Sequence, residues 1–448
     1  MSHPPGASRE AEEAAGLAGL LQPQGGLFGS VARIATLGAE PRLTTRIVRL
    51  GDLAQVGVPV RARPDAPPET PLAGAGTGLD DAEALRPALA EGLERYCASV
   101  HAPEQFVWAS AEDLGQDALD LDTVPRCSEA ELAHPLCPLV APDKRAPMRW
   151  VRAVSLLDGR IVHVPAVMVY LYVGTASPAE RICLTITTGC AAHVTYEKAV
   201  AHAILEVVER DAIAVVWLQR LPLPRIEVDQ VPRALAPGWE RYERSCPDLE
   251  YVFFDATSDL GIPTVYGLQV APADRRVTTL VACATETSAA AAVAKVIRDM
   301  AAARITMRHA RWVPESFDEF SDVFHGATYM ARAERREAFH FLLESGAKRR
   351  LSEIPPADAG LDEGDLLPHL VHLLREKRLD AYAVDLSTDE ALRCGLRVVR
   401  VVIPGLQPLS FHYRARYLGH RRLYEAPRLM GYPALPEEEL NDLPQPFA

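Results

Sequence analysis

The sequence predicts an α+β fold in which mixed sheets are packed with helices. Two observations carry that expectation. Stretches beginning near Asp81, Ala199 and Ser288 space their apolar residues as helices do, over several turns each. The runs LEYVFFDAT, TVYGLQVA and VTTLVACAT are rich in β-branched and aromatic residues and follow one another with little between them, as neighbouring strands do.

Taken in order, residues 1–20 are Ala/Glu-rich and weakly patterned, and a flexible N-terminus is expected over 1–24. QPQGGLFGSVARIATL predicts a turn and a short strand, and TTRIVRL a second strand. Residues 61–80 are dense in Pro and Gly and are expected to be loop. From Asp81 a helix is predicted, with Asp80 or Asp81 as N-cap and a kink or late start at Pro87. Residues 110–147 read as a Pro-rich surface excursion. MRWVRAVSLLDGRIVHVPAVMVYL predicts a hairpin about Asp158-Gly159. The third helix spans 288–311, and ARAERREAFHFLLESG and EGDLLPHLVHLLREKR predict two scaffold helices. LDAYAVDLS and LRVVRVVIPG predict strands, the second nearly all apolar and so central in a sheet. HYRARYLGHRRL is a basic cluster of the kind more often solvated than phosphate-binding. The Pro-rich tail, about 433–448, favours an extended conformation suited to docking in a groove.

The helix from Ala199 to Leu218 carries five charged or His residues: His202, Glu206, Glu209, Arg210 and Asp211. At about 100° per residue, His202, Glu206 and Glu209 fall within roughly 60° of one another, an acidic stripe on an apolar helix. Carboxylates in such a setting need a cation or an Arg partner. Glu91 and Glu94 repeat the spacing on the earlier helix. Two such pairs could surround a hard cation with oxygen ligands, as Mg²⁺ requires; two unrelated solvated faces are the bland alternative. Lys295, Arg298, Asp299 and Arg304 are polar positions on the third helix, where a basic group could neutralise polyphosphate.

A formal net charge of -13 argues against non-specific nucleic-acid binding. No run approaches the length of a membrane span, and the first residues lack a signal-peptide pattern, so a soluble cytoplasmic protein is expected. The eight scattered cysteines indicate neither a disulfide framework nor a zinc site.

ALAEGLERYCAS, TTGCAAH followed by AHAILEVVERDA, the helix containing Arg304, and RVVRVVIPGLQPL resemble, in this order, the successive motifs of the YcaO superfamily. The match runs from about Gly25 onward, so 25–448 is expected to be one YcaO-like catalytic domain with its ATP site between helices. LNDLPQPFA resembles the Pro-rich C-terminus of the azoline-forming cyclodehydratases, the D component of thiazole/oxazole-modified peptide pathways. The resemblance implies ATP and Mg²⁺ as cofactors and a ribosomally made precursor peptide as substrate. A Cys, Ser or Thr side chain attacks the preceding amide, whose oxygen is phosphorylated and leaves as phosphate. It also implies roles: Glu91, Glu94, Glu206 and Glu209 for the metal; Thr188, Gly189, Glu206, Glu209, Arg210 and Arg304 for the nucleotide; Pro444, Pro446 and the carboxylate of Ala448 for positioning substrate or moving a proton. A separate leader-peptide-binding partner protein is expected, with no nucleic acid or membrane partner, and a homodimer is among the assemblies this reading admits.

The sequence departs from the family pattern in places. Gly74-Ala75-Gly76 stands where Gly-Lys-Gly is common, His193 where Gly is usual, and Asp299 and Ala302 where Glu and Gln are frequent. The final proline of the tail motif is missing. Thioamide or amidine formation, and an ATP-impaired scaffold that only docks precursor peptide, are the alternatives.

Overall fold

The computed structural model describes residues 16–17, 19–21, 26–36, 40–51, 72–233, 235–244, 248–309, 312–360 and 364–447. The segment expected to be flexible, 1–24, lies largely outside the described residues, as do 52–71 and Ala448.

The first layer is an antiparallel sheet of β1 (Phe28–Ile34), β2 (Thr44–Leu50) and β3 (Ala73–Gly78), covered by α1 (Asp81–Ser99). The strand β3 corrects the expectation of loop over 61–80. Its glycines recur every second residue, so Gly74, Gly76 and Gly78 share the face turned to α1. A Cβ on Gly74 would meet Ala88 O at 2.1 Å and one on Gly76 would meet Ala84 O at 2.3 Å. The glycines permit helix and strand backbones to touch. Asp80 caps α1 by accepting the Ala82 and Glu83 N–H groups, and the helix runs through Pro87 without a break.

The remaining strands are β4 (Val107–Ala109), β5 (Met148–Ser155), β6 (Ile161–Pro165), β7 (Cys190–His193), β8 (Arg225–Glu227), β9 (Glu250–Asp255), β10 (Thr264–Val270), β11 (Thr279–Thr285), β12 (Lys348–Arg350), β13 (Tyr382–Asp385) and β14 (Arg397–Val402). The helices α2 (Tyr196–Gln219), α3 (Ala289–His309), α4 (Leu366–Glu376) and α5 (Arg422–Leu429) join them. One sheet has the order β11-β10-β9-β8-β12; another runs β4-β5-β13-β14-β7, with β6 paired to β5. The three runs predicted as strands are β9, β10 and β11, and β14 has partners on both edges. The helix α2 packs against β7 and β14 on one side and β11 on another, which explains why its residues are apolar almost all round.

Three local readings need adjustment. Residues 156–160 join β5 to β6, a wider turn than the two residues expected, with Gly159 at φ 77°. The segment 110–147 is not only surface, since Leu119, Leu121 and Val124 are buried in the core beside β5 and β6. ARAERREAFHFLLESG forms a 3₁₀ run, Ala333–Phe339, and a short helix, His340–Leu343. Among the described residues, no helix is long and apolar enough to cross a membrane.

A pH prediction follows from His420. It is buried, its Nε2 has no partner among the described residues, and burial together with nearby Arg126 lowers its pKa to about 4. Unfolding returns it to about 6.5, so between these values the unfolded chain binds the extra proton. Stability is therefore present above pH 6.5 and is lost as pH falls towards 4, by on the order of 3 kcal/mol for this group. Denaturant unfolding at pH 7, 5.5 and 4 should show that slope, reduced in His420→Gln.

Candidate active site

The helices α1 and α2 bring their acidic pairs to one cleft, and the segment around β7 stitches them together. Gly189, at φ 83°, donates its N–H to Glu206 Oε2 at 2.9 Å. Three residues on, the Ala192 N–H donates to Glu94 Oε1 at 2.7 Å. The left-handed turn at Gly189 sits against Val401 O, where an added Cβ would lie at 2.3 Å, so glycine is required there. On α1, Glu91 Oε2 accepts the Ala75 N–H at 2.6 Å and its Oε1 accepts from Arg95 at 2.6 Å. At the position where the family pattern commonly has Lys, the backbone N–H of Ala75 holds Glu91.

The four glutamates are not equivalent. Burial, the charge of Glu206 and that of Glu91 push the Glu94 carboxyl well above the usual range, against the Ala192 hydrogen bond. Burial also raises Glu206, opposed by Arg210 and reinforced by Glu209. Glu209 goes the other way. Burial acts upward on it, but Lys295, Arg210 and the Thr285 N–H together hold it below the ordinary value. Solvent still reaches Glu94, Glu206, Lys295 and Asp299 although protein crowds them, as expected of cleft walls. Asp299 is raised to about 6 by burial, against the pull of Lys295. His193 and His202 face each other with ring centroids 5.1 Å apart. Burial first, then neighbouring positive groups, lowers both, His193 to about 4, so both rings are neutral at neutral pH.

The tail closes another side. Trp217 on α2 donates to Leu443 O at 3.1 Å, Tyr413 donates to Asp442 O at 2.6 Å, and Pro444 and Pro446 are buried. Gly326 admits this strand of chain, since a Cβ there would lie 2.2 Å from Gln445 O. Phe447 bridges to Val281 of β11, and the Arg210 guanidinium lies 5.0 Å from its ring centroid. Arg210 in turn pairs with Glu206 at 3.1 Å and with Glu209. Beside it opens a cavity of about 90 Å³ whose walls include Met168, Thr188, Val207, Arg210, Arg400 and Gln407.

Arg304 is the correction. Its guanidinium is 2% exposed and donates to Gln269 Oε1, Val277 O and Asp274, so it is held among protein partners. Nine residues separate it from Lys295, about half a turn at 100° each, which puts the two on opposite sides of α3. Lys295 faces the acidic pairs, and the same arithmetic would have selected it. The basic cluster at 412–423 is spent on internal pairs: Arg414 with Asp318, Arg416 with Asn441 O, and Arg422 with Asp211 and Asp259.

The donor set consists of hard oxygens. Glu94 Oε2 has no protein partner among the described residues, and Glu94, Glu91 and Glu206 repel one another. Among the described residues no three His, Cys, Asp or Glu groups form a preformed cage. Mg²⁺ does not need one, because it usually binds through one or two carboxylates, water and substrate phosphate.

The sequence profile of the family described as YcaO cyclodehydratase, ATP- and Mg²⁺-binding, matches residues 75–407. The chain belongs to the YcaO family. It is thus an ATP- and Mg²⁺-dependent YcaO-type enzyme. An uncharacterized protein of Methanothermobacter thermautotrophicus is 26% identical over 371 residues, covering 82% of this chain and 90% of the relative. Solved structures share the YcaO fold, among them the following two. A heterocyclase in complex with substrate and cofactor gives a TM-score of 0.76 at 20% identity, over 97% of this chain and 57% of the heterocyclase. This chain thus spans little more than half of that protein. The YcaO protein of Methanopyrus kandleri bound with AMPPCP and Mg²⁺ gives 0.61 at 18% identity, over 88% and 90%.

Proposed function

We propose that this YcaO enzyme is a cyclodehydratase forming thiazoline or oxazoline rings from Cys, Ser or Thr in a ribosomally made precursor peptide. The observation that carries the reading is the stitching of Glu94 on α1 to Glu206 on α2 by the N–H groups of Ala192 and Gly189, beside a docked Pro-rich tail. When bound, Mg²⁺·ATP supplies the phosphoryl group that makes the amide oxygen a good leaving group. Glu91, Glu94, Glu206 and Glu209 are the carboxylates that would hold the metal. Arg210, fixed by both glutamates of α2, presents its remaining surface to phosphate oxygens. Thr188 and Gly189 bring backbone close to the nucleotide. Pro444 and Pro446 fix the path of the tail, which helps to position substrate. The neutral rings of His193 and His202 line the entrance without adding charge.

The cavity bounded by Met168, Thr188 and Arg400 receives the peptide next to the residue being modified. Met168→Trp narrows it and is expected to raise the peptide KM about tenfold or more, with a smaller loss of Mg²⁺·ATP affinity, since Thr188 and Arg210 share its walls. Steady-state kinetics and calorimetry check the pair of outcomes.

A separate leader-binding protein is proposed to deliver the precursor. The whole reading is tested by incubating the chain with ATP, that partner and a candidate peptide, then weighing the peptide. One lost water per ring, about 18 Da, supports cyclodehydration, whereas a gain of about 16 Da means thioamide formation. Amidine formation also loses water and is separated by fragmentation. Clear Mg²⁺-dependent ATP binding, measured by calorimetry, counts against the ATP-impaired scaffold alternative.

A further inference from the structure

The carboxylates of the cleft are neutralised to different degrees: Glu94 accepts one backbone N–H, Glu91 and Glu206 each meet one Arg and one backbone N–H, and Glu209 alone meets two cations. Glu209 is the most enclosed of the four glutamates, 3% exposed. Its Oε2 accepts the Thr285 N–H at 3.0 Å and the Lys295 ammonium at 3.1 Å, while its Oε1 accepts from Arg210. One carboxylate therefore meets two cations and a backbone donor. Lys295 reaches it from α3 and lies 3.9 Å from Glu286, a second carboxylate on the same edge. A divalent ion binding Glu209 would have to displace that ammonium or sit against it, and like charges at contact distance repel strongly. Glu94 has the opposite environment. It accepts one backbone N–H, leaves Oε2 without a protein partner among the described residues, and faces the charges of Glu206 and Glu91.

We infer that Lys295 takes the place of a divalent cation at Glu209, so that the metal of this enzyme is held by Glu91, Glu94 and Glu206 and not by Glu209. The inference rests on the proposed Mg²⁺·nucleotide site and narrows it. Glu209 is a positioning residue: it fixes Arg210 and Lys295, which then meet phosphate as protein cations. The cleft needs one fewer divalent ion than four equivalent glutamates would take.

The test uses the full chain with Mn²⁺ and a non-hydrolysable ATP analogue, counting free Mn²⁺ by electron paramagnetic resonance. Glu94→Gln should weaken Mn²⁺ binding at least about tenfold, whereas Glu209→Gln should change it by less than about threefold. Lys295→Met should add one Mn²⁺ per chain, and Lys295→Arg should leave the count unchanged. A tenfold loss in Glu209→Gln, or an unchanged count in Lys295→Met, overturns the inference alone. If either single variant unfolds, Glu209→Gln/Lys295→Met removes both charges together, and retention of wild-type Mn²⁺ affinity in it supports the inference while a tenfold loss overturns it. No Mn²⁺·analogue bound by the wild type would overturn the proposed site and the inference with it.

Discussion

Glu94→Gln removes turnover, by about 100-fold or more in kcat/KM, without lowering the stability of the fold. The amide keeps an oxygen to accept the Ala192 N–H, so the stitch between α1 and β7 survives. What disappears is a charge. Because burial and the neighbouring glutamates raise the folded pKa of Glu94, ionising it costs stability, and that cost grows as pH rises above its unfolded value. Gln avoids the cost at every pH. The variant should therefore unfold at an equal or higher denaturant concentration at pH 7 while losing ATP-dependent peptide modification. A variant that loses both in parallel would make Glu94 a structural residue. Function in conflict with stability is what a metal-binding carboxylate predicts.

Arg422→Ala should cost about 3–5 kcal/mol, a large share of the roughly 5–15 kcal/mol available to a folded protein. Arg422 on α5 donates from Nε and Nη2 to Asp211 at 3.1 and 2.8 Å and pairs with Asp259 at 2.8 Å. All three are enclosed, 6%, 1% and 4% exposed. Asp211 also accepts the Gln407 N–H at 2.8 Å, which ties α2 to the chain after β14. Without the guanidinium two buried carboxylates face each other. Urea unfolding measures the cost, and a loss under about 1 kcal/mol would show that water or rearrangement replaces the Arg. Replacing the whole group, Arg422→Met with Asp211→Asn and Asp259→Asn, should recover much of it, since the penalty comes from the unpaired charges.

The helices were legible because their signals are local. The cap at Asp80, the apolar run of α2 and the angular arithmetic of Glu206 and Glu209 each need only a few neighbouring residues. β3 was hidden by composition: its alternating glycines follow a Pro-dense stretch, and the reason for them is a helix backbone that only the folded chain brings near. The juxtaposition of Glu94 and Glu206 was suggested by the repeated spacing and the resemblance, but the backbone groups that hold it were out of reach. Ala192 and Glu94 lie 98 positions apart in sequence, and no periodicity spans that gap. Arg304 and Lys295 differ in kind, since both sit on one predicted helix. There the resemblance pointed to Arg304, whereas the helical angle turns Lys295 to the acidic face and Arg304 away from it. Phe447 against Arg210 was not anticipated, although an aromatic residue beside two spaced prolines in an extended tail is a fair signal for docking.

The central claim is that the enzyme moves a peptide amide oxygen onto phosphate. A precursor carrying ¹⁸O in the amide carbonyl before its Cys, Ser or Thr tests this directly, by mass analysis of the phosphate released with ATP and partner present. One ¹⁸O should appear in phosphate for each ring formed. Rings formed with unlabelled phosphate, the label leaving in water, would contradict the account.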